Sequence, residues 1–216
     1  MKKLHDELLL GIKRNTSELG FRYNSATRSF RKKVGNTEFS FHLSVVRHQH
    51  DFDIVADLGV RYLDVEKLAW GLMPPHPLRD DLKFDTWTMG VEVGNLTQGS
   101  QLRWGVAGEK DVDEAISKIT AIFHSVALPY FEKYSTPESA YVMLQRDDRM
   151  SELNSPLRVK RWERIIALAY FLEPQRLSYW ISKGRNALVE ASDRQSDEFE
   201  QFAEALLARQ PSGVDR

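Results

Sequence analysis

The residues best suited to chemistry lie at His48-x-His50, where two imidazoles spaced by two share one face of an extended segment, with Asp51 and Asp53 beside them as oxygen donors. Such a set holds a divalent cation that activates water for hydrolysis, and His48, His50 and Asp53 are the candidate ligands. A third imidazole would have to come from His42 or His76. The same residues also read as the polar turn of a hairpin, which needs no ligand to explain it. A second set is carboxylic. Asp57, Asp80, Asp81, Asp85 and Glu92 are acids of the type that pair for acid–base hydrolysis. Of these, Asp57 and Glu92 fall on a polar strand face with Arg61, Arg103 and His42, where cross-strand ion pairs are the plainer reading.

Two blocks of charge suggest binding rather than catalysis. Between Lys13 and Lys33 there are seven bases and one acid, interleaved with Phe21, Tyr23 and Phe30. Phosphates could follow Arg22, Arg28, Arg31, Lys32 and Lys33 while bases stack on the rings, although the rings also read as core anchors. Between Glu190 and Glu204 six acids (Glu190, Asp193, Asp197, Glu198, Glu200, Glu204) stand against Arg194. An acidic face of this kind can mimic phosphate toward a basic partner, and Glu198, Glu200 and Glu204 are its candidate contacts.

The rest of the composition excludes more than it suggests. The 216 residues carry 30 bases and 31 acids, so no global charge draws the chain to nucleic acid or anionic lipid. With no cysteine, disulfides, thiolate nucleophiles, iron–sulfur clusters and cysteine zinc sites are out of reach, and a reducing cytoplasm is the expected location. The apolar run Leu8-Leu9-Leu10 is too short for a signal-peptide core, and no stretch is apolar for long enough to span a bilayer. No G-x-S-x-G, Walker or G-x-G-x-x-G sequence occurs, so no cofactor is expected.

Periodicity supplies the elements that must position these residues. Leu4, Leu8, Leu9, Ile12 and Leu19 recur at helical spacing, and Gly20 stands where a left-handed residue stops a helix. Strands are expected over Ser29 to Val34, Glu38 to Arg47, Phe52 to Tyr62, Trp87 to Val93 and Leu102 to Val106, each alternating apolar with polar. A short helix capped by Asp64 and a loop at Met73-Pro74-Pro75-His76-Pro77 come between. From Asp111 the period turns helical, with Glu114 at capping-box spacing and an apolar stripe from Val112 to Val126 ahead of Pro129. Thr136-Pro137 and Ser155-Pro156 mark two further helix starts, and the second helix carries Val159, Trp162, Ile165, Ile166, Ala169 and Tyr170 inward. A break at Glu173-Pro174, a restart stopped at Gly184 and a stripe of Phe199, Phe202, Ala203, Leu206 and Leu207 complete the chain. The expected class is α+β: an antiparallel meander of four or five strands packed by an N-terminal and a long helix, then a helical cluster. Residues 1–134 should form the sheet domain, 135–209 a helical extension and 210–216 a flexible tail.

The run Leu19-Gly20-Phe21, Ser29-Phe30-Arg31-Lys32, Leu43-Ser44, Phe52-Asp53-Ile54 and Leu58-Gly59-Val60 resembles the opening of the bacterial family called domain of unknown function 4304. The likeness covers about Leu4 to Tyr62, departs from the family at Ala56-Asp57 and does not extend into the helical half. It implies an α+β meander in a bacterial protein and carries over no catalytic residue. The functional expectation is a non-enzymatic, cytoplasmic protein-binding module of the immunity or regulatory type, with another protein as partner and no membrane. A metal-assisted hydrolase centred on His48 and His50 is the alternative, and a nucleic-acid binder using the basic stretch the second alternative.

Overall fold

The computed structural model describes residues 2–72, 86–191 and 196–209. His76, Asp80, Asp81, Asp85, Asp193, Arg194, the proline loop and the tail at 210–216 lie outside the described residues. The fold is α+β, and the contacts divide it into two compact units, Met1–Val60 with Gly90–Ser135, and Arg61–Met89 with Thr136–Arg216.

Helix α1 (Lys2–Ser17) buries Leu8 and Ile12 and ends at Gly20, whose φ of +82° is open to glycine at little cost. The sheet follows as β1 (Arg22–Asn24), β2 (Ser29–Val34), β3 (Thr37–Arg47), β4 (Phe52–Tyr62) and β5 (Met89–Glu92), hydrogen-bonded in that order, with β6 (Trp104–Val106) pairing antiparallel to the start of β4. Strand β1 escapes the alternation pattern because three residues are too few to show a period. After α2 (Leu63–Leu72), a short helix, α3 (Val93–Thr97), stands between β5 and β6. The Val93 end of the expected strand therefore turns helical. Its cause is Glu92, whose carboxylate accepts the Gly94 N–H at 2.8 Å and the Asn95 N–H at 3.0 Å and so caps a helix start.

Helix α4 (Glu109–Ile122) starts two residues before Asp111. Gly108 is the cap residue, and Asp111 reaches back to accept the Ala107 and Gly108 N–H groups at 2.9 and 2.8 Å. The helix does not stop at Pro129. A π-turn over Phe123–Ala127, in which the Leu128 N–H donates to Phe123 O five residues back, leads into α5 (Leu128–Lys133), where proline sits in the first turn and its missing N–H costs little. Phe123 and Phe131, on these segments, close the core of this unit against Phe21, Phe39 and Phe41, with ring centroids 5.0 to 5.7 Å apart.

The second unit is helical: α2, then α6 (Pro137–Leu144), α7 (Arg149–Asn154), α8 (Arg158–Leu172), α9 (Leu177–Glu190) and α10 (Ser196–Leu207). Helix α2 groups with this unit, where it packs on α8, although residues 1–134 were expected to form one sheet domain. Helix α8 is buried on every side from Arg161 to Ala169, with α2, α6, α9 and α10 around it. Ser155-Pro156 does not open this helix; Ser155 closes α7, whose start Asp148 caps by accepting the Ser151 N–H at 3.0 Å. Gly184 does not stop α9 either. It lies within the helix at a crossing so close that a Cβ there would fall 2.7 Å from the ring of Phe199 and 3.2 Å from that of Trp162. The glycine permits contact between helices; it does not terminate one.

Candidate functional site: the outer face of the sheet

Register decides which side chains share a face, since residues directly opposite in an antiparallel pair point the same way. Phe30 stands opposite Phe41, and Lys32 opposite Phe39, so these four take the inner face. Arg22 opposite Arg31, Asn24 opposite Ser29, Ser29 opposite His42, Arg31 opposite Ser40 and Lys33 opposite Glu38 form the outer one.

This sorting splits the expected nucleic-acid surface. Lys32 faces inward, with its ammonium over the Phe21 ring at 5.8 Å from the centroid. Arg31 donates from Nε to Ser29 Oγ at 2.7 Å and from Nη1 to Glu38 Oε1 at 3.1 Å. Arg22, Arg28 and Lys33 are exposed. The loop between β1 and β2 is shaped by Asn24, whose Oδ1 accepts the Ala26 N–H at 3.0 Å, and it ends with Arg28 at a φ of +50°. That left-handed conformation costs a non-glycine residue about 1–2 kcal/mol.

Toward the middle of the same face lies a group around His42, on the polar face where Asp57 is also expected. His42 Nδ1 is 2.8 Å from Thr27 O and its Nε2 is 3.1 Å from Ser44 Oγ. A carbonyl oxygen only accepts, so Nδ1 carries a hydrogen, and in the neutral ring Nε2 accepts from the Ser44 hydroxyl. Burial pushes the nearby Asp57 carboxyl above the ordinary aspartate range, and Glu92 adds to the rise, while His42 and the Ser44 hydroxyl oppose it. Ser40, next on β3, buries its Oγ without a hydrogen-bond partner among the described residues. The signal for this group was the H-x-S step on an alternating strand, which names the face but says nothing of the carbonyl that orients the ring.

The His48 cluster is partly assembled. His48 Nε2 lies 3.1 Å from Asp53 Oδ2, and Arg103 Nη1 donates to that same oxygen at 3.3 Å. The His48 hydrogen bond, with help from Arg103, holds the Asp53 carboxyl below the usual aspartate range. A guanidinium thus takes the oxygen a metal would need, and His50 stands exposed. Among the described residues no three His, Asp or Glu side chains form a group that could hold a metal ion. Glu92 is likewise committed to backbone: besides capping α3 it accepts the Leu102 N–H at 3.1 Å.

The acidic candidates on α10 are mostly paired within their own unit. Glu198 accepts a hydrogen bond from Lys160, which also donates to both oxygens of Glu163 at 3.1 Å. Both oxygens of Glu200 accept from Arg185 Nε at 2.8 Å. Glu204 alone of the three is exposed. Among the described residues no helix is long and apolar enough to cross a membrane. No family model matches this chain, and no curated protein or solved structure matches it either.

Proposed function

We propose that this chain is a non-catalytic protein-binding module of the immunity or regulatory type, working in the cytoplasm of a bacterium, and that it docks an acidic partner on the outer face of the β1–β2 hairpin. The observation that supports this most is the register that sets Arg22 directly opposite Arg31 on that face, with Lys33 opposite Glu38 two residues further along β2. Like charges held about 5 Å apart across a strand pair repel, and among the described residues only the Arg31 side of the pair has a carboxylate bonded to it. An acidic surface relieves that repulsion and gains charge-assisted hydrogen bonds from the exposed Arg22, Arg28 and Lys33. The acidic helix is the weaker docking element, because Lys160 and Arg185 already neutralise Glu198 and Glu200.

The test is affinity capture on the immobilised chain, followed by titration of any stoichiometric partner against two variants. The triple reversal R22E/R28E/K33E should weaken binding at least about tenfold, the scale of one to two lost charge-assisted contacts, with the melting temperature unchanged. Loss of binding in E198Q/E200Q/E204Q with full binding by the reversal variant would place the interface on α10 and overturn this reading. Steeply salt-dependent binding of a single-stranded oligonucleotide, abolished by the same reversal, would move the function to nucleic acid.

A further inference from the structure

The group at the middle of the outer sheet face has a geometry that simple docking does not require. A nucleophilic serine needs a base within hydrogen-bond reach, a second group that orients the base and a charge that favours the base once protonated. Ser44 has the first in His42 Nε2 at 3.1 Å, and His42 has the second in Thr27 O, 2.8 Å from Nδ1. Asp57, on the adjacent strand, is the carboxyl beside the pair: burial raises it, and the Ser44 hydroxyl, which hydrogen-bonds to it, and His42 oppose that rise. Ser44 and His42 are both partly open to solvent, unlike Ser29 and Ser40 on the same face, which are fully buried. A backbone carbonyl as the orienting group is rigid, because Thr27 O belongs to the loop that Asn24 pins. The imidazole is thereby held in the one neutral tautomer that can take a proton from the hydroxyl.

We propose that Ser44 is a nucleophile activated by His42, and that it accepts an acyl or phosphonyl group from an activated ester that reaches the outer sheet face. In the step, Ser44 Oγ bonds to the carbonyl carbon or phosphorus, the hydroxyl proton passes to His42 Nε2, and the bond to the leaving group breaks. The proton then leaves with the departing anion or to solvent, so atoms and charge balance. This inference does not depend on the docking proposal, since it concerns the free chain and a small reagent.

A fluorophosphonate is the probe: the Oγ–P bond forms as the P–F bond breaks, and fluoride leaves. Intact mass and peptide mapping of the full chain should show one adduct, on Ser44, absent in S44A and retained in S40A. General-base assistance is worth about 10²–10⁴ in rate, so H42Q should label at least about 100-fold more slowly. D57N, which keeps the base and removes the charge, should slow labelling by a smaller factor. Absence of an adduct on wild-type Ser44 overturns the proposal, and so does wild-type labelling speed in a folded H42Q. If H42Q does not fold, undiminished labelling in folded D57N together with equal labelling of other serines overturns it as well.

Discussion

The two units differ in how deeply they bury paired charge. In the sheet unit Asp53 pairs with His48 and Arg103, both open to solvent, and Arg31 pairs with Glu38, both of them partly buried yet reached by solvent. The helical unit has exposed pairs as well, such as Arg185 with Glu200, but it also seals charges inside. Arg164 Nε and Nη2 donate to the two oxygens of Glu66 at 2.7 and 3.0 Å, and Thr88 Oγ1 donates to Glu66 Oε1 at 3.0 Å. Glu163, wholly buried, is held by Lys160 and stands 3.6 Å from Arg164 Nη1. Surface pairs retain most of their hydration, so they add little stability and leave their face free to meet a partner. Buried pairs have lost hydration, so each charge depends on its partner and the pair specifies how the helices meet. The sealed charges of the helices serve packing, and under the function proposed above recognition falls to the sheet.

Breaking the buried pair should have the largest effect. Arg164→Met strands the Glu66 carboxylate in the interior and should cost about 3–5 kcal/mol, read as a lowered urea midpoint. E66M/R164M, which removes both charges, should recover most of that loss. If the double variant is as unstable as the single, the pair acts through shape, and the contrast with the sheet fails.

A smaller effect follows from Glu163. Burial pushes its carboxyl above the ordinary glutamate value of 4.5, against the pull of Lys160 and Arg164. The folded state therefore binds this proton more tightly than the unfolded chain does. Its contribution is fully present below the unfolded value and is lost as pH rises through the folded one. Urea midpoints measured from pH 4 to pH 8 should decline on this account in the wild type, and E163Q should flatten that part of the profile. An identical profile in both proteins would mean that Lys160 fully compensates the burial.

The smallest effect is expected at the surface. Asp53→Asn removes the acceptor shared by His48 and Arg103, yet it should change stability by only about 0–1 kcal/mol, and less in high salt. A loss comparable to that of Arg164→Met would show that the hairpin end is a structural lock and not an open face.

Much of the fold was legible in the residues because local physics places it there. The 3.6 period of Val112, Ala115 and Ile119 and the alternation of Phe39, Phe41 and Leu43 both predicted burial that the structure shows. Thr136 capping a helix that starts at Pro137 was equally local. The candidate site was legible only in part. His42 and Asp57 were named for their face, whereas Ser44 and the Thr27 carbonyl gain meaning from a loop conformation and a hydrogen bond across 15 residues of chain. Gly184 misled because a glycine that ends a helix and one that lets two helices touch look alike in sequence.

By itself, then, the sequence determined the periods, the helix stop at Gly20, the absence of thiol chemistry and the α+β order of elements. Those depend on interactions between near neighbours. Only the tertiary structure decided that Lys32 turns inward while Arg31 and Lys33 face out, that Glu198 and Glu200 of α10 meet Lys160 and Arg185, and that Arg161, Glu163 and Arg164 lie on the stretch of α8 buried all round. Charge is a property of a residue, but whether it is free, paired or buried depends on the segments packed against it, which are distant in the chain.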